Sequence, residues 1–85
     1  MEEWILYIIE TESGKLYTGI TTNLTRRFEE HRTKKKGARF FHTSKAQTVV
    51  YTENYPNRSL ASQREHQIKK MSRSEKLDLI KNRSF

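Results

Sequence analysis

Two tyrosines, an arginine and a histidine stand within the first 31 residues of the chain, at positions 7, 17, 27 and 31. A phenol and an imidazole can move protons, and a guanidinium can donate two hydrogen bonds to one anion in a fork that lysine lacks. Tyr7, Tyr17, Arg27 and His31 could therefore transfer a proton beside a bound anion. The alternative is structural, since buried tyrosines and lone histidines commonly satisfy local hydrogen bonds.

The elements that position the two tyrosines are predicted to form an antiparallel hairpin. The apolar run 4–9 is too short for a helix and is typical of a strand that is buried on both faces at the centre of a sheet. Turn-forming residues occupy 11–14, and a second strand pattern covers 15–20. Gly19 lies inside this second strand, where a missing side chain marks a β-bulge or a close approach to the backbone, or else a simple strand end.

A helix that begins after residues 21–22 positions the arginine and the histidine. Either threonine of that pair can cap the helix, and Leu24, Phe28 and His31 recur with the i, i+4, i+7 spacing of one helix face. Arg27 adjoins this face one turn before the histidine. We expect both side chains at the edge of a core, where water is partly excluded.

The rest of the chain predicts one more strand and two helices. Branched residues favour a strand over 47–53, and a helix over 58–71 follows a turn at 55–57. Ser72 and Glu75 have the capping-box spacing that opens a last helix. The apolar residues that we expect the two helices to bury are Leu60, Ala61, Ile68, Met71, Leu77 and Ile80. The predicted fold class is α/β (α+β), a small three-stranded antiparallel sheet flanked by three or more helices.

Glu65 lies at the border of the apolar face of the predicted 58–71 helix, beside Ala61 and Ile68. Its carboxylate could reach the rim of the sheet, or it could be an ordinary surface glutamate. Periodicity does not choose between these two interpretations.

The composition indicates one small domain over residues 1–85, without room for a second core. No cysteine is present, so disulfides and thiolate metal sites are excluded. The chain begins Met1-Glu2-Glu3 rather than with basic residues, and no apolar run approaches the roughly 20 residues that cross a bilayer. We therefore expect a cytoplasmic protein without a membrane anchor.

The formal charge of +7 is unevenly placed, with −3 over residues 1–25, +6 over 26–45 and +4 over 46–85. Such a field suits a polyanion, most commonly nucleic acid, although a merely solvated surface has the same composition. Phe40 and Phe41 are bracketed by cations and could stack on bases, or could pack into the core. The cations that we expect to contact phosphates are Lys34, Lys35, Lys36, Arg39 and Lys45.

In this order and spacing, the motifs resemble those of the GIY-YIG nuclease superfamily and, within it, the small single-domain UPF0213 proteins. The tripeptides at 5–7 (ILY) and 17–19 (YTG) stand where the family has its two tripeptides. Residues 23–27 (NLTRR) are similar to the family helix start N-L-x-x-R, and His31 matches a frequent His or Tyr. Residues 59–70 (SLASQREHQIKK) are similar to the helix that carries the metal-binding glutamate.

The resemblance implies this same fold and metal-dependent hydrolysis of phosphodiester bonds in nucleic acid. It places one divalent ion, Mg²⁺ or Mn²⁺, on Glu65, with Tyr7 as the base and Tyr17 as its partner. Arg27 would contact the phosphate, and His31 would support the tyrosine or the water. A base of this kind requires a phenol whose pKa is lowered from about 10.

Two positions depart from the family pattern. Ile5 replaces the Gly of the first tripeptide, which the role of the tyrosine tolerates. Many family nucleases carry an Asn about a dozen residues after the metal-binding glutamate, but residues 74–79 contain none, and Asn82 comes later.

The leading hypothesis is an endonuclease of the GIY-YIG type that acts on nucleic acid, with DNA ahead of RNA, as a monomer or weak dimer. It would serve repair, recombination or processing. The alternative is a non-catalytic nucleic-acid-binding module that keeps the nuclease fold. A third hypothesis is a protein-interaction adaptor whose charge only solubilises it.

Overall fold

The computed structural model describes residues 3–33 and 45–82. The elements in these ranges are strand β1 (Trp4–Thr11), strand β2 (Leu16–Thr21), helix α1 (Leu24–Thr33), strand β3 (Ala46–Tyr55), helix α2 (Arg58–Lys69) and helix α3 (Arg73–Lys81). Three antiparallel strands with three helices confirm the predicted fold class.

Strand β1 is the centre of the sheet, as its apolar run predicts, because the strand order is β2-β1-β3. Successive residues of a strand point to opposite faces, so Leu6 and Ile8 face one side and Tyr7 and Ile9 face the other. All four side chains are at most 1% exposed. The sheet is therefore covered on both faces.

The β1–β2 hairpin closes through the predicted turn. The Thr11 N–H donates to the Lys15 carbonyl at 2.9 Å, and the Gly14 N–H donates to the Thr11 carbonyl at 2.9 Å. Gly14 has a φ of 85°, a left-handed conformation that disfavours a side chain. The turn thus sets a register in which Ile9 pairs with Tyr17.

Helix α1 covers one face of the sheet, and helices α2 and α3 cover the other. The core on the α1 face consists of Tyr7, Ile9 and Ala46 with the partly buried Tyr17, Leu24, Phe28 and Val49. The core on the other face is built around Leu6, Ile8, Tyr51 and Ile68, with Met71, Leu79 and Ile80 among the residues packed against it. Three layers result, with strand β2 as an edge of the middle layer.

The cap of α1 differs from the prediction, which placed it at residues 21–22. The Arg26 N–H donates to Asn23 Oδ1 at 3.0 Å, so Asn23 is the capping residue. Thr21 instead accepts the Asn23 N–H on its own hydroxyl oxygen at 3.1 Å, because Thr21 ends strand β2 and turns the chain toward the helix.

Two leucines that the helical patterns assign to the core are exposed. Leu60 is 42% exposed and Leu77 is 40% exposed. Helix α2 buries only the narrow face of Ala61 and Ile68, and α3 packs through Leu79 and Ile80.

The capping box that opens α3 is confirmed. The Ser72 N–H donates to Glu75 Oε1 at 2.8 Å, and the Glu75 N–H donates to Ser72 Oγ at 3.1 Å. Across residues 3–33 and 45–82, no helix has the length and apolar character required to cross a membrane.

Candidate active site

Gly19 lies directly opposite Tyr7 in the β1–β2 pairing, and the tyrosine ring crosses the space that a side chain would fill. A Cβ atom on Gly19 would lie 2.5 Å from the Tyr7 hydroxyl oxygen and 2.7 Å from its Cζ. The glycine therefore marks a close approach rather than a strand end. Because β2 is an edge strand, the Tyr7 hydroxyl, which lies over β2, is close to the edge of the sheet.

His31, on helix α1, contacts this phenol. The Tyr7 hydroxyl oxygen lies 2.9 Å from His31 Nε2, and the two side chains are 1% and 0% exposed. Burial first, and then the Arg27 charge, lower the pKa of His31 to about 4. The imidazole is therefore neutral at neutral pH, and Nε2 can accept the hydrogen bond that the phenol donates.

Arg27 contacts the same phenol and also Glu30. Its Nη1 donates to Glu30 Oε1 at 3.0 Å, and a hydrogen bond to the Tyr7 hydroxyl affects the pKa of both partners. One guanidinium has five N–H donors, so it can donate hydrogen bonds to a phenol, a carboxylate and a further anion at the same time.

The pKa of Tyr7 is the main departure from the predicted chemistry. A lowered value was required for a phenolate base, but burial first, and then the Tyr17 charge, raise the pKa of Tyr7 to about 12. Arg27 does lower this pKa, as expected, through its hydrogen bond and charge, but burial outweighs it. Tyr7 is thus a protonated phenol at neutral pH.

Tyr17 completes a group of three rings. Its ring centroid lies 6.3 Å from that of Tyr7 and 5.3 Å from that of His31, and the other two centroids are 6.0 Å apart. Tyr17 is half-buried, whereas the other two rings are almost fully buried. The phenol of Tyr17 is therefore the one that borders solvent.

Glu65 approaches this group from helix α2, which crosses all three strands of the sheet. Its charge contributes to raising the pKa of Tyr7, so it lies within electrostatic range of the phenol. The carboxylate is 22% exposed and its Oε2 lies 3.3 Å from Lys69 Nζ. The structure thus brings the sequence-predicted Tyr7, Tyr17, Arg27 and His31 into one group, with Glu65 near its edge.

A polar cluster that the sequence analysis did not identify anchors α2 one residue before Glu65. Arg64 Nε donates to Glu53 Oε1 at 3.0 Å, and its Nη2 donates to Oε2 at 3.2 Å. The hydroxyls of Tyr51 and Tyr55 donate to the same carboxylate. The pattern Tyr-x-Glu-x-Tyr places all three strand residues on one face, which is the signal that could have found the cluster.

The donor set at this site fits a divalent ion held by one carboxylate. Among the described residues, no three His, Cys, Asp or Glu side chains converge on one point. A Mg²⁺ ion needs only one or two carboxylates when water and a substrate phosphate fill its other positions. Glu65 could provide that carboxylate.

Most of the predicted phosphate-binding segment lies outside the described residues. This applies to Phe40, Phe41 and the cations Lys34, Lys35, Lys36 and Arg39. Lys45 is exposed, and its carbonyl accepts the Glu12 N–H at 3.0 Å, which places it at the hairpin end of the sheet.

Asn82, the later asparagine, follows α3 and lines a groove with Tyr51 of strand β3, at the edge of the sheet opposite to β2. Tyr7 instead reaches over β2.

Comparison with known proteins identifies the family of the chain. The family model described as the GIY-YIG catalytic domain matches residues 3–78. A UPF0213 protein of Desulfotalea psychrophila is 45% identical over 92% of this chain and 71% of its own length. The UPF0213 protein YhbQ of Escherichia coli is 38% identical over 94% of this chain and 79% of its own length.

A solved structure gives the same assignment. The solution NMR structure of a UPF0213 protein from Bacillus halodurans has a TM-score of 0.58 to this chain at 28% identity, and the match covers 93% of this chain and 83% of that one. The chain therefore belongs to the GIY-YIG family and, within it, to the UPF0213 proteins.

Proposed function

We propose that the protein is a metal-dependent endonuclease that hydrolyses phosphodiester bonds in nucleic acid. The observation that carries this proposal is the Tyr7–His31 pair, in which the hydroxyl oxygen of a buried phenol lies 2.9 Å from Nε2 of a neutral imidazole. Arg27 and Tyr17 contact the same pair, so a proton acceptor and an anion-binding group share one patch. Membership of the GIY-YIG family supports phosphodiester cleavage as the use of that patch.

The raised pKa of Tyr7 favours a relay over a free phenolate base. As a water oxygen attacks phosphorus, the Tyr7 oxygen takes a proton from the water and passes its own proton to His31 Nε2. The bond from phosphorus to the leaving oxygen then breaks. No phenolate accumulates on this path, and because the pKa of His31 is about 4, its imidazolium exists only transiently and releases the proton as the leaving oxygen departs.

Arg27 and Glu65 supply the charges that this reaction needs. Arg27 can keep its bond to Glu30 through Nη1 while its other N–H groups donate to the phosphate. Glu65 would hold Mg²⁺ or Mn²⁺, one ion per site, and a bound divalent ion polarises the phosphate and stabilises the leaving oxygen.

A non-catalytic nucleic-acid-binding module is the second candidate function. The observation that favours it is the ion pair between Glu65 and Lys69, which occupies the carboxylate that a metal would need. A protein of this kind would bind nucleic acid without any metal requirement.

We propose DNA ahead of RNA as the substrate, and a monomer or weak dimer as the acting species. The absence of cysteine favours the cytoplasm.

A cleavage assay tests the proposal directly. The purified protein should be incubated with labelled single-stranded, duplex and branched DNA and with RNA, each with Mg²⁺, with Mn²⁺ and with a chelator. Metal-dependent cleavage of any of these substrates is the expected result. Salt-dependent binding with no cleavage under any condition would instead select the non-catalytic module.

A further inference from the structure

A groove of about 220 Å³ lies between the hairpin turn and the first turns of α3. It is lined by Lys15, Leu16, Arg73 and Lys76. Three of these four residues are cations, and Leu16 is partly buried against the core. Among the described residues, the four ion pairs that form involve none of the three cations.

Helix α3 separates its charges between two sides. Arg73 and Lys76, three residues apart, share one side and line this groove. Glu75 and Asp78 line a different groove, beside Tyr51 of strand β3. The Glu75 carboxylate accepts the Ser72 N–H, and among the described residues it forms no ion pair with a cation of the basic groove.

The groove and the candidate active site lie on the two sides of the edge strand β2. Leu16 faces α2 and α3, whereas its neighbour Tyr17 faces α1, because successive residues of a strand point to opposite faces. A polymer that passes around this edge of the sheet would therefore meet both Tyr17 and the groove. Lys45 lies at the same end of the sheet, so cations outnumber Glu10 and Glu12 there.

We propose that the groove formed by Lys15, Leu16, Arg73 and Lys76 binds phosphates of the nucleic-acid backbone outside the bond that is cleaved. This inference rests on the proposed function, because it takes the bound polyanion to be the substrate. Unpaired cations bind such phosphates by releasing counterions, which makes affinity salt-dependent.

The test compares two double variants that each remove two positive charges. Arg73→Gln/Lys76→Gln changes the groove, and Lys70→Gln/Lys81→Gln removes exposed charges from the ends of α2 and α3. Binding to a labelled oligonucleotide is measured by fluorescence anisotropy across salt concentrations, with a chelator present to prevent cleavage. The groove variant should reduce the slope of log affinity against log salt by about 1.4 on single strands or about 1.8 on duplex.

The control variant should leave that slope close to the parent value. Arg73→Lys/Lys76→Arg, which keeps both charges, should also retain the slope, and circular dichroism checks that each variant is folded. Equal slopes for the groove variant and the parent, or equal losses in the groove and control variants, would overturn the proposal.

A second measurement separates this proposal from the proposed function. The p-nitrophenyl phosphodiester of thymidine is too small to span both the candidate active site and the groove, so its metal-dependent hydrolysis by the parent protein reports the proposed nuclease alone. Cleavage of a long oligonucleotide by Arg73→Gln/Lys76→Gln should show a raised KM with kcat retained. If the parent cleaves none of the substrates, the nuclease is contradicted and the anisotropy result decides the groove. An unchanged KM on long substrates overturns the groove alone.

Discussion

The hydroxyl oxygen of Tyr7 lies 2.9 Å from Nε2 of His31, and the two side chains come from β1 and α1, 24 residues apart in the chain. Both are buried, so bulk solvent does not compete for this bond, and the proposed relay needs one water molecule to reach the Tyr7 oxygen. When one partner of a buried hydrogen bond is removed, solvent cannot satisfy the partner that remains. The pair therefore links the stability of the α1 face to the proposed chemistry.

The Tyr7→Phe variant removes the hydroxyl and keeps the ring. We expect cleavage to fall by about 10² or more, because the proton relay is lost, and stability to fall by about 1 to 3 kcal/mol, because His31 Nε2 loses its partner. Urea unfolding and single-turnover cleavage measure the two effects.

Tyr55→Phe is the matched control for that variant. It also removes a hydroxyl that donates to a partly buried acceptor, here Glu53 at 2.6 Å, but on the other face of the sheet. It should reduce stability while retaining cleavage. Equal cleavage by Tyr7→Phe and Tyr55→Phe would show that the Tyr7 hydroxyl takes no part in the reaction.

The low pKa of His31 predicts a pH dependence of stability. The unfolded chain binds a proton on this residue near pH 6.5, whereas burial and then the Arg27 charge, opposed by Glu30, lower the pKa of His31 to about 4 in the folded protein. Between these values the unfolded state binds more protons, so stability falls as the pH falls from 6.5 toward 4. The full effect is about 3 kcal/mol.

Denaturant unfolding at several pH values measures this effect. The His31→Gln variant should lose most of the slope between pH 6.5 and 5.5, a window above the pH at which most glutamates take up a proton. Parallel pH profiles for the parent and this variant would contradict the assignment.

The contact between Gly19 and Tyr7 predicts that Gly19→Ala is harmful. The added methyl group would lie 2.5 Å from the Tyr7 hydroxyl oxygen, so the ring must move. We expect a loss of about 1 to 3 kcal/mol of stability, together with a strong loss of cleavage because the relay is displaced.

Gly14→Ala serves as the comparison for Gly19→Ala. It is strained by a positive φ, at about 1 to 2 kcal/mol, but its methyl group would meet no atom closer than 3.8 Å. The Gly14→Ala variant should be less stable than the parent, while its folded fraction cleaves at the parental rate. A Gly19→Ala protein with parental cleavage would be incompatible with the proposed position of Tyr7.

The Glu53–Arg64 ion pair predicts coupling between β3 and α2. Glu53→Gln and Arg64→Met should each destabilise the protein by about 1.5 to 3 kcal/mol, because each leaves a partly buried polar group without its charged partner. The double variant should cost less than the sum, with a coupling energy of about 0.5 to 3 kcal/mol. Additive effects in urea unfolding would mean that this pair does not hold α2 on the sheet.

Much of the fold could be predicted because its signals are local. The run at 4–9 marks a central strand, the turn at 11–14 fixes a hairpin, and Ser72 with Glu75 caps α3. Exposure of Leu60 and Leu77 could not be predicted, because periodicity does not say how wide a helix face the sheet covers.

The sequence predicts which residues lie together at the candidate site, but it does not predict how their side chains interact. The spacing of Tyr7 and Tyr17 follows from hairpin register, yet the bond to His31 depends on how α1 packs. The pKa of Tyr7 was expected to fall beside Arg27, whereas burial raises it, and the depth of burial is a property of the whole fold. The Glu53–Arg64 cluster joins residues 11 apart in two elements, which no local motif encodes.

The most direct test of the nuclease is cleavage by Glu65→Gln, with Lys69→Gln as its control. Glu65→Gln removes the carboxylate proposed to hold the metal, whereas Lys69→Gln removes only its ion-pair partner, which lies 3.3 Å away. Metal-dependent cleavage should fall by about 10³ or more in Glu65→Gln and should be retained in Lys69→Gln, with both proteins folded. Cleavage by Glu65→Gln at the parental rate would contradict the account.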